Sequence, residues 1–129
     1  MKKAYYIAEI NLPSKSAYAH NVFKMCDNLS KNFDTTLIIF SKKKSFTSLK
    51  KNYFLKNNFK LLTMNYKKTK TNFHNRIKLA LFSLSNVDKK SLTISRSLLS
   101  AFLLVYSNFR LFVEVHHTFK GLTNFILIL

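Results

Sequence analysis

Short apolar runs alternate with amphipathic stretches along this chain, and that order restricts its possible folds more than any other feature does. The runs AYYIAEI (Ala4 to Ile10) and TTLIIF (Thr35 to Phe40) are rich in aromatic or β-branched residues, which is typical of buried strands. The stretch after Ser16 repeats apolar residues at intervals of three and four, which predicts an amphipathic helix ending near Asn32. Its apolar positions are Tyr18, Val22, Met25, Cys26 and Leu29. Strand, helix and strand in this order predict a βαβ unit.

The alternation continues through the rest of the chain. Further strands are predicted at residues 59–64, 91–95 and 110–115. Further helices are predicted around Phe46, Leu49 and Tyr53, around Ile77, Ala80, Leu81 and Leu84, and over residues 97–107. The segment 97–107 is apolar nearly all round, which predicts a helix buried on several sides. The sequence thus predicts an α/β fold, a Rossmann-like doubly wound parallel sheet, with ligands at the carboxyl ends of its strands.

The charge of the chain points to anionic partners. Its 129 residues fit one domain, and they carry a net charge of +17 from twenty-two Lys and Arg against five acidic residues. Nucleic acid and anionic lipid are the two candidate partners. Alternatively, the positive charge reflects a drift of the base composition of the gene toward A and T. Lys, Asn, Phe and Ile are all abundant, while Gly and Pro occur once each.

Several classes of protein are disfavoured by what the sequence contains. The only glycine is Gly121, whereas a phosphate-binding loop needs several glycines near the first strand. Cys26 is the only cysteine and cannot form an internal disulfide, which favours a reducing cytoplasm. The longest apolar run, Leu98 to Tyr106, is far shorter than the roughly 20 residues that span a bilayer. Any membrane contact is therefore expected to be peripheral.

The last nine residues also carry an expectation. The segment from Gly121 to Leu129 ends in FILIL, with no charge or turn residue after it. An apolar run of this kind would leave an aggregation-prone edge or patch unpaired. We therefore expect residues 1–129 to be one domain that is truncated at 129.

Three segments resemble the N-terminal domain of bacterial family-four (group 1) glycosyltransferases of the GT-B fold. The first is NLPSKSAYAHNVFKMCDNLSKNFDTTLI (Asn11 to Ile38), with a Pro-Ser-Lys loop and a helix that contains Val-x-Lys-Met-Cys. The others are TISRSLLSAFLL (Thr93 to Leu104) and FVEVHHTF (Phe112 to Phe119), which resemble the strand-Arg-helix and Glu-x-His elements of that family. Asn21 departs from the His or Gln that relatives often carry, and Asn32-Phe33 departs from their Gly-His.

The resemblance implies a function as well as a fold. It implies the acceptor-side half of a retaining glycosyltransferase that moves a sugar from a nucleotide-sugar to a cell-envelope glycan or a lipid-linked acceptor. The donor-binding domain and its carboxylate pair lie outside this chain, so the fragment alone is expected to be inactive. The resemblance further implies no metal and no cofactor beyond the nucleotide-sugar substrate. The expected location is the cytoplasm, peripherally on the inner face of the cell membrane.

Two residues at predicted strand ends are the first candidates for a site. By resemblance, His116 would contact the donor sugar or stabilise the reacting centre, and its alternative is a polar residue that caps the strand end. Arg96 has a planar guanidinium suited to a phosphate or carboxylate, and its alternative is a solvated arginine. Asn11, Lys15 and Ser16 are predicted in the first strand-to-helix loop, as acceptor-binding residues or as an ordinary turn.

Lysines and aromatic residues are interleaved in the middle third of the chain. Lys42, Lys43, Lys44, Lys67, Lys68 and Lys70 are the predicted membrane-surface residues, and each could add about 1 kcal/mol near an anionic leaflet. The same interleaving suits single-stranded nucleic acid, whose bases stack on exposed rings. The membrane is preferred over nucleic acid because the resemblance implies lipid-linked acceptors. The alternative function is a non-catalytic basic α/β module that binds an anionic membrane or nucleic acid.

Overall fold

A computed structural model describes residues 2–12, 17–41, 50–51, 53–64 and 73–113. In these segments five strands alternate with three complete helices. The strands are β1 (Lys3–Leu12), β2 (Asp34–Ser41), β3 (Lys60–Met64), β4 (Leu92–Ser95) and β5 (Phe112–Val113). The helices are α1 (Ala17–Leu29), α2 (Phe73–Asn86) and α3 (Leu98–Tyr106).

The predicted strands are all present, and the last one is shorter than expected because residues 110–111 are not in it. The helix predicted around Phe46 and Leu49 falls mostly outside the described residues. Residues 50–51 are helical, but Tyr53 lies in a turn.

All five strands are parallel, in the order β3-β2-β1-β4-β5. The central strand, β1, is irregular toward its carboxyl end. Ile7 pairs with Ile38, but the next pair along is Asn11 with Phe40, so β1 uses four residues where β2 uses two. Bulges of this kind re-aim side chains and often lie next to functional sites. Glu9 lies within this irregular stretch.

Each face of the sheet has its own apolar core, because successive residues of a strand point to opposite sides. Tyr6, Ala8 and Ile10 pack with α1, whereas Tyr5 and Ile7 pack with α2 and α3. The first core also contains Val22, Phe23, Cys26, Leu37, Ile39, Tyr53, Leu55 and Phe59, and the second also contains Ile38, Phe40, Leu79, Leu104 and Phe109. Helices on both faces of a parallel sheet confirm the predicted Rossmann-like α/β architecture.

The predicted apolar faces of α1 and α2 were wrong at two positions. Met25 is exposed while Phe23 is fully buried, and Leu81 is exposed while Leu79 is fully buried. Apolar residues surround much of each helix, so their spacing is compatible with more than one orientation. Polar residues of α2 are also buried, including Ser83, which an apolar pattern does not reveal.

The prediction that the segment 97–107 is buried on several sides was also wrong. In α3 only Ser100, Ala101 and Leu104 are buried, and Val105 and Tyr106 are exposed. Within the described segments, α3 packs mainly against α2 and β4, so its residues 105–106 stay exposed. None of the helices in the described segments is long and apolar enough to cross a bilayer.

The end of α3 is followed by a left-handed residue, whereas the end of α1 near Asn32 is not. Positive φ angles among the described non-glycine residues occur at Phe54 and at Asn108, where φ is 69°. Asn108 follows α3 and terminates it, as asparagine often does. By contrast, α1 ends in ordinary turns, in which Asn32 N–H donates to Leu29 O.

A buried carboxylate near the end of α1 fixes the chain that leads into β3. Asp27 is 5% exposed, and its Oδ1 accepts hydrogen bonds from the backbone N–H groups of Lys56, at 3.1 Å, and Asn57, at 2.7 Å. The Asn57 side chain donates in return to the Asp27 carbonyl oxygen. We call this arrangement the Asp27 clamp. It holds a turn in place that has no regular secondary structure of its own.

Candidate functional site

The order of the strands creates a crevice between β1 and β4. These two strands are neighbours at the centre of the sheet, but α1, which follows β1, and α3, which follows β4, pack on opposite faces. The helices that follow the two strands therefore lie on opposite faces, which makes the carboxyl ends of β1 and β4 a switch point of the sheet. Open α/β sheets bind ligands at such a switch point.

The turn between β4 and α3 places Arg96 at this crevice. Arg96 N–H extends the ladder by donating to Ile7 O at 2.9 Å. Ser95 Oγ donates to Ser97 O and accepts from Ser97 N–H, and both serines are fully buried. Ser97 caps α3 by accepting from Ser100 N–H. These bonds fix the backbone on both sides of Arg96, so its side chain starts from a rigid point.

Arg96 meets a tyrosine from the helix on the far side of the crevice. Its guanidinium lies over the ring of Tyr18, the second residue of α1, at 4.8 Å from the ring centroid. A cation over an aromatic face contributes roughly 0.5–2 kcal/mol, depending on how well water is excluded. The Tyr18 hydroxyl is also hydrogen bonded to the backbone of Glu9. Tyr18 therefore links the two strands that border the crevice.

The surroundings of Tyr18 favour its neutral form. Burial raises the pKa of the Tyr18 hydroxyl above its usual 10.0, and the nearby Glu9 carboxylate adds to the rise. The positive charge of Arg96, and hydrogen bonds from the Glu9 backbone and the Arg96 side chain, lower the pKa without cancelling this rise. At neutral pH the hydroxyl therefore retains its proton and can donate a hydrogen bond.

This raised pKa predicts an alkaline dependence of stability. The folded chain holds the hydroxyl proton more tightly than the unfolded chain, so the free energy of unfolding should fall as pH rises above about 10. Tyr18→Phe removes the group, and the fall between about pH 10 and 12 should become shallower. Denaturant titrations at several pH values measure this slope. Equal slopes in the two chains would contradict the assigned cause.

Glu9 connects the crevice to helix α2, which packs on the other face of the sheet. Its Oε2 accepts a hydrogen bond from Nε of Arg76, in the first turns of α2, at 2.8 Å. The Glu9 side chain is one-quarter exposed and that of Arg76 is half exposed, so the pair contributes little to stability. Its effect is positional, because it holds the amino end of α2 against the carboxyl end of β1.

Together, Glu9, Tyr18, Arg76 and Arg96 form what we call the rim cluster. Two guanidinium groups and one carboxylate leave it with a net positive charge. Guanidinium groups bind phosphate and carboxylate through paired N–H donors, while a carboxylate and a tyrosine hydroxyl bind sugar hydroxyls. The cluster can therefore hold a ligand that combines an anionic group with hydroxyls.

The structure brings some of the predicted site residues to the crevice and leaves others undecided. Arg96 follows the carboxyl end of β4, as expected. Asn11 was predicted in the loop, but it is the penultimate residue of β1, because the strand continues past its irregularity. Predicted residues outside the described segments are Lys15, Ser16, Lys42, Lys43, Lys44, Lys67, Lys68, Lys70 and His116. Their roles stay predictions.

Three members of the rim cluster were missed by the sequence analysis. Tyr18 was assigned to the apolar face of α1, which hides its hydroxyl. Glu9 gave the one available signal, since it is the only charged residue inside the apolar run AYYIAEI. Arg76 gave none, because its partner lies 67 residues away. Within the described segments, no three His, Cys, Asp or Glu residues come together as metal ligands.

Comparison with known proteins yields no relative. No family model matches the chain, and no curated protein or solved structure matches it significantly. The resemblance of residues 11–38, 93–104 and 112–119 to glycosyltransferases therefore stays an expectation from the sequence.

Proposed function

We propose that this chain is the acceptor-side half of a retaining glycosyltransferase. In this proposal, the crevice between β1 and β4 holds a glycan or lipid-linked acceptor. A second, donor-binding domain supplies the nucleotide-sugar across the crevice. Transfer requires the acceptor hydroxyl to be oriented and the departing diphosphate to be stabilised. This chain would contribute the orientation.

One observation carries the proposal: the rim cluster lies at the switch point of an all-parallel sheet. Arg96 directly follows β4 and Tyr18 is the second residue of α1, so a ligand in the crevice would meet both. The positive cluster suits an acceptor that bears a phosphate or another anionic group. His116 lies outside the described residues, and its predicted contact with the donor sugar remains part of the proposal.

Equilibrium binding of two ligand classes to the full chain tests this proposal. We expect a short-chain lipid phosphate that carries a sugar to bind, and a nucleotide-sugar to bind more weakly by at least roughly tenfold, since the donor contacts belong to another domain. Isothermal titration calorimetry measures both affinities. Equal or tighter binding of the nucleotide-sugar would contradict an acceptor-side assignment.

The alternative class, a non-catalytic basic module, is distinguished by salt. Binding of single-stranded nucleic acid would fall steeply with ionic strength, because each phosphate contact releases a counterion. Strong nucleic-acid binding near physiological salt, with no binding of the lipid phosphate, would favour that module over the transferase half.

A further inference from the structure

Phe54 is an exposed aromatic residue held in an unfavourable backbone conformation. Its side chain is 77% exposed, although its neighbours Tyr53 and Leu55 are buried in the core on the α1 side. Its φ angle is 54°, in the left-handed region that residues other than Gly, Asn and Asp rarely occupy. Strain of this kind persists only where the surroundings enforce it, and it is concentrated at functional positions.

Hydrogen bonds to Lys24, Lys50 and Asp27 hold the turn in this conformation. Lys24 Nζ donates to the Phe54 carbonyl oxygen at 3.0 Å, and Leu55 N–H donates to Lys50 O at 2.9 Å. Just beyond, the Asp27 clamp holds the N–H groups of Lys56 and Asn57. The phenyl ring therefore projects outward from a fixed base between two buried neighbours.

The surface around the ring is positively charged. Lys24, Lys50 and Lys56 all take part in the turn, and Lys51 lies beside Lys50. No salt bridge in the described part of the chain involves any of these four lysines. Asp27 of α1, the carboxylate that contacts the turn, is buried and accepts hydrogen bonds from backbone N–H groups. An exposed ring surrounded by lysines fits an anionic surface that also admits an apolar group.

We propose that the Phe54 turn docks on an anionic membrane, with the ring inserted at the interface and the surrounding lysines on lipid headgroups. Aromatic rings favour that depth, and basic residues near an anionic leaflet add attraction. A single-stranded nucleic acid fits less well because it needs several exposed rings. Tyr53 and Phe59 are buried, and Tyr53 stacks on Phe23 at 4.3 Å between ring centroids. Their burial leaves Phe54 as the exposed ring within residues 53–59.

This docking extends the proposed function, in which a lipid-linked acceptor would lie in a membrane, but it requires no sugar transfer and no occupant of the crevice. The two proposals can therefore fail separately. Vesicle binding by the full chain measures the docking, and acceptor binding in solution measures the crevice.

The test compares vesicle partitioning of the full chain with that of Phe54→Gly. Glycine accepts a positive φ without strain, so this variant should fold with an equal or higher unfolding midpoint. Its partitioning onto phosphatidylcholine vesicles with about 30% phosphatidylglycerol should fall roughly tenfold. Phe54→Trp keeps an aromatic ring at this position, so its partitioning should equal or exceed that of the unaltered chain. Tyr106→Ser is the matched control, because Tyr106 is exposed on α3, across the sheet.

Each possible result either supports membrane docking or overturns it. Partitioning that falls in Phe54→Gly but not in Tyr106→Ser, and that is lost on vesicles of phosphatidylcholine alone, supports the proposal. Equal partitioning of Phe54→Gly and the unaltered chain overturns it, as does an absence of binding to the anionic vesicles. Loss of oligonucleotide binding in Phe54→Gly, without any vesicle binding, would assign the turn to nucleic acid instead.

Discussion

Arg96→Gln is expected to weaken binding of a sugar-bearing lipid phosphate by roughly 10- to 100-fold. The substitution removes the charge and the paired N–H donors that a phosphate accepts. Glutamine is polar and shorter than arginine, so it introduces no steric clash. Arg96→Lys retains the charge but not the planar donor arrangement. Its affinity should lie between those of the unaltered chain and Arg96→Gln. Calorimetric titration of the unaltered chain and of each variant with the lipid phosphate measures these affinities.

A control for this prediction lies at the opposite end of the sheet. Lys89 also lies over an aromatic ring, with Nζ 5.4 Å from the centroid of Phe109, but it precedes the amino end of β4. Lys89→Gln removes the same charge from a similar contact, and it should leave the affinity unchanged. If both variants bind equally weakly, the net charge of the chain is responsible. If Arg96→Gln binds as well as the unaltered chain, the rim cluster does not hold the ligand.

Asp27→Ala is expected to lower the free energy of unfolding by about 3 kcal/mol. The substitution leaves the backbone N–H groups of Lys56 and Asn57 without their acceptor, and both bonds are partly buried. Hydrogen bonds to a charged group are worth more than neutral ones, and an unmade buried bond costs more than a bond to water. Asp27→Asn keeps one acceptor oxygen, so about half of the loss is expected. Urea denaturation measures both differences.

Asp88 provides the matched control for the clamp. It is exposed and also accepts a hydrogen bond from a backbone N–H, that of Lys90 at 3.1 Å. Because water can replace this carboxylate, Asp88→Ala should cost less than about 1 kcal/mol. Similar losses in Asp27→Ala and Asp88→Ala would show that the buried clamp has no special contribution to stability.

The sequence predicts the sheet because its signals are local. Buried parallel strands are short apolar runs, and the runs around Ile7, Ile38 and Ile94 are separated by stretches of helical spacing. A right-handed crossover rule then limits how such units can be arranged. The place of Arg96 follows from the same logic, since it directly follows the run SLTIS.

The rest of the candidate site depends on contacts that no local pattern encodes. Glu9 faces Arg76 only because α2 packs against β1, and Tyr18 reaches Arg96 only because α1 crosses the end of β1. The Asp27 clamp joins residues about 30 positions apart. Helix orientation is similarly undecided when apolar residues surround the helix, as the exposure of Leu81 and Tyr106 illustrates. Tertiary packing selects among orientations that spacing alone allows.

An NMR titration of the isotopically labelled full chain tests most directly whether the ligand binds at the switch point. Addition of a sugar-bearing lipid phosphate should shift the backbone signals of Glu9, Tyr18 and Arg96, and it should leave those of Lys89 and Leu92, at the amino end of β4, in place. Shifts confined to the amino ends of the strands, or to the Phe54 turn, would contradict a ligand site between β1 and β4.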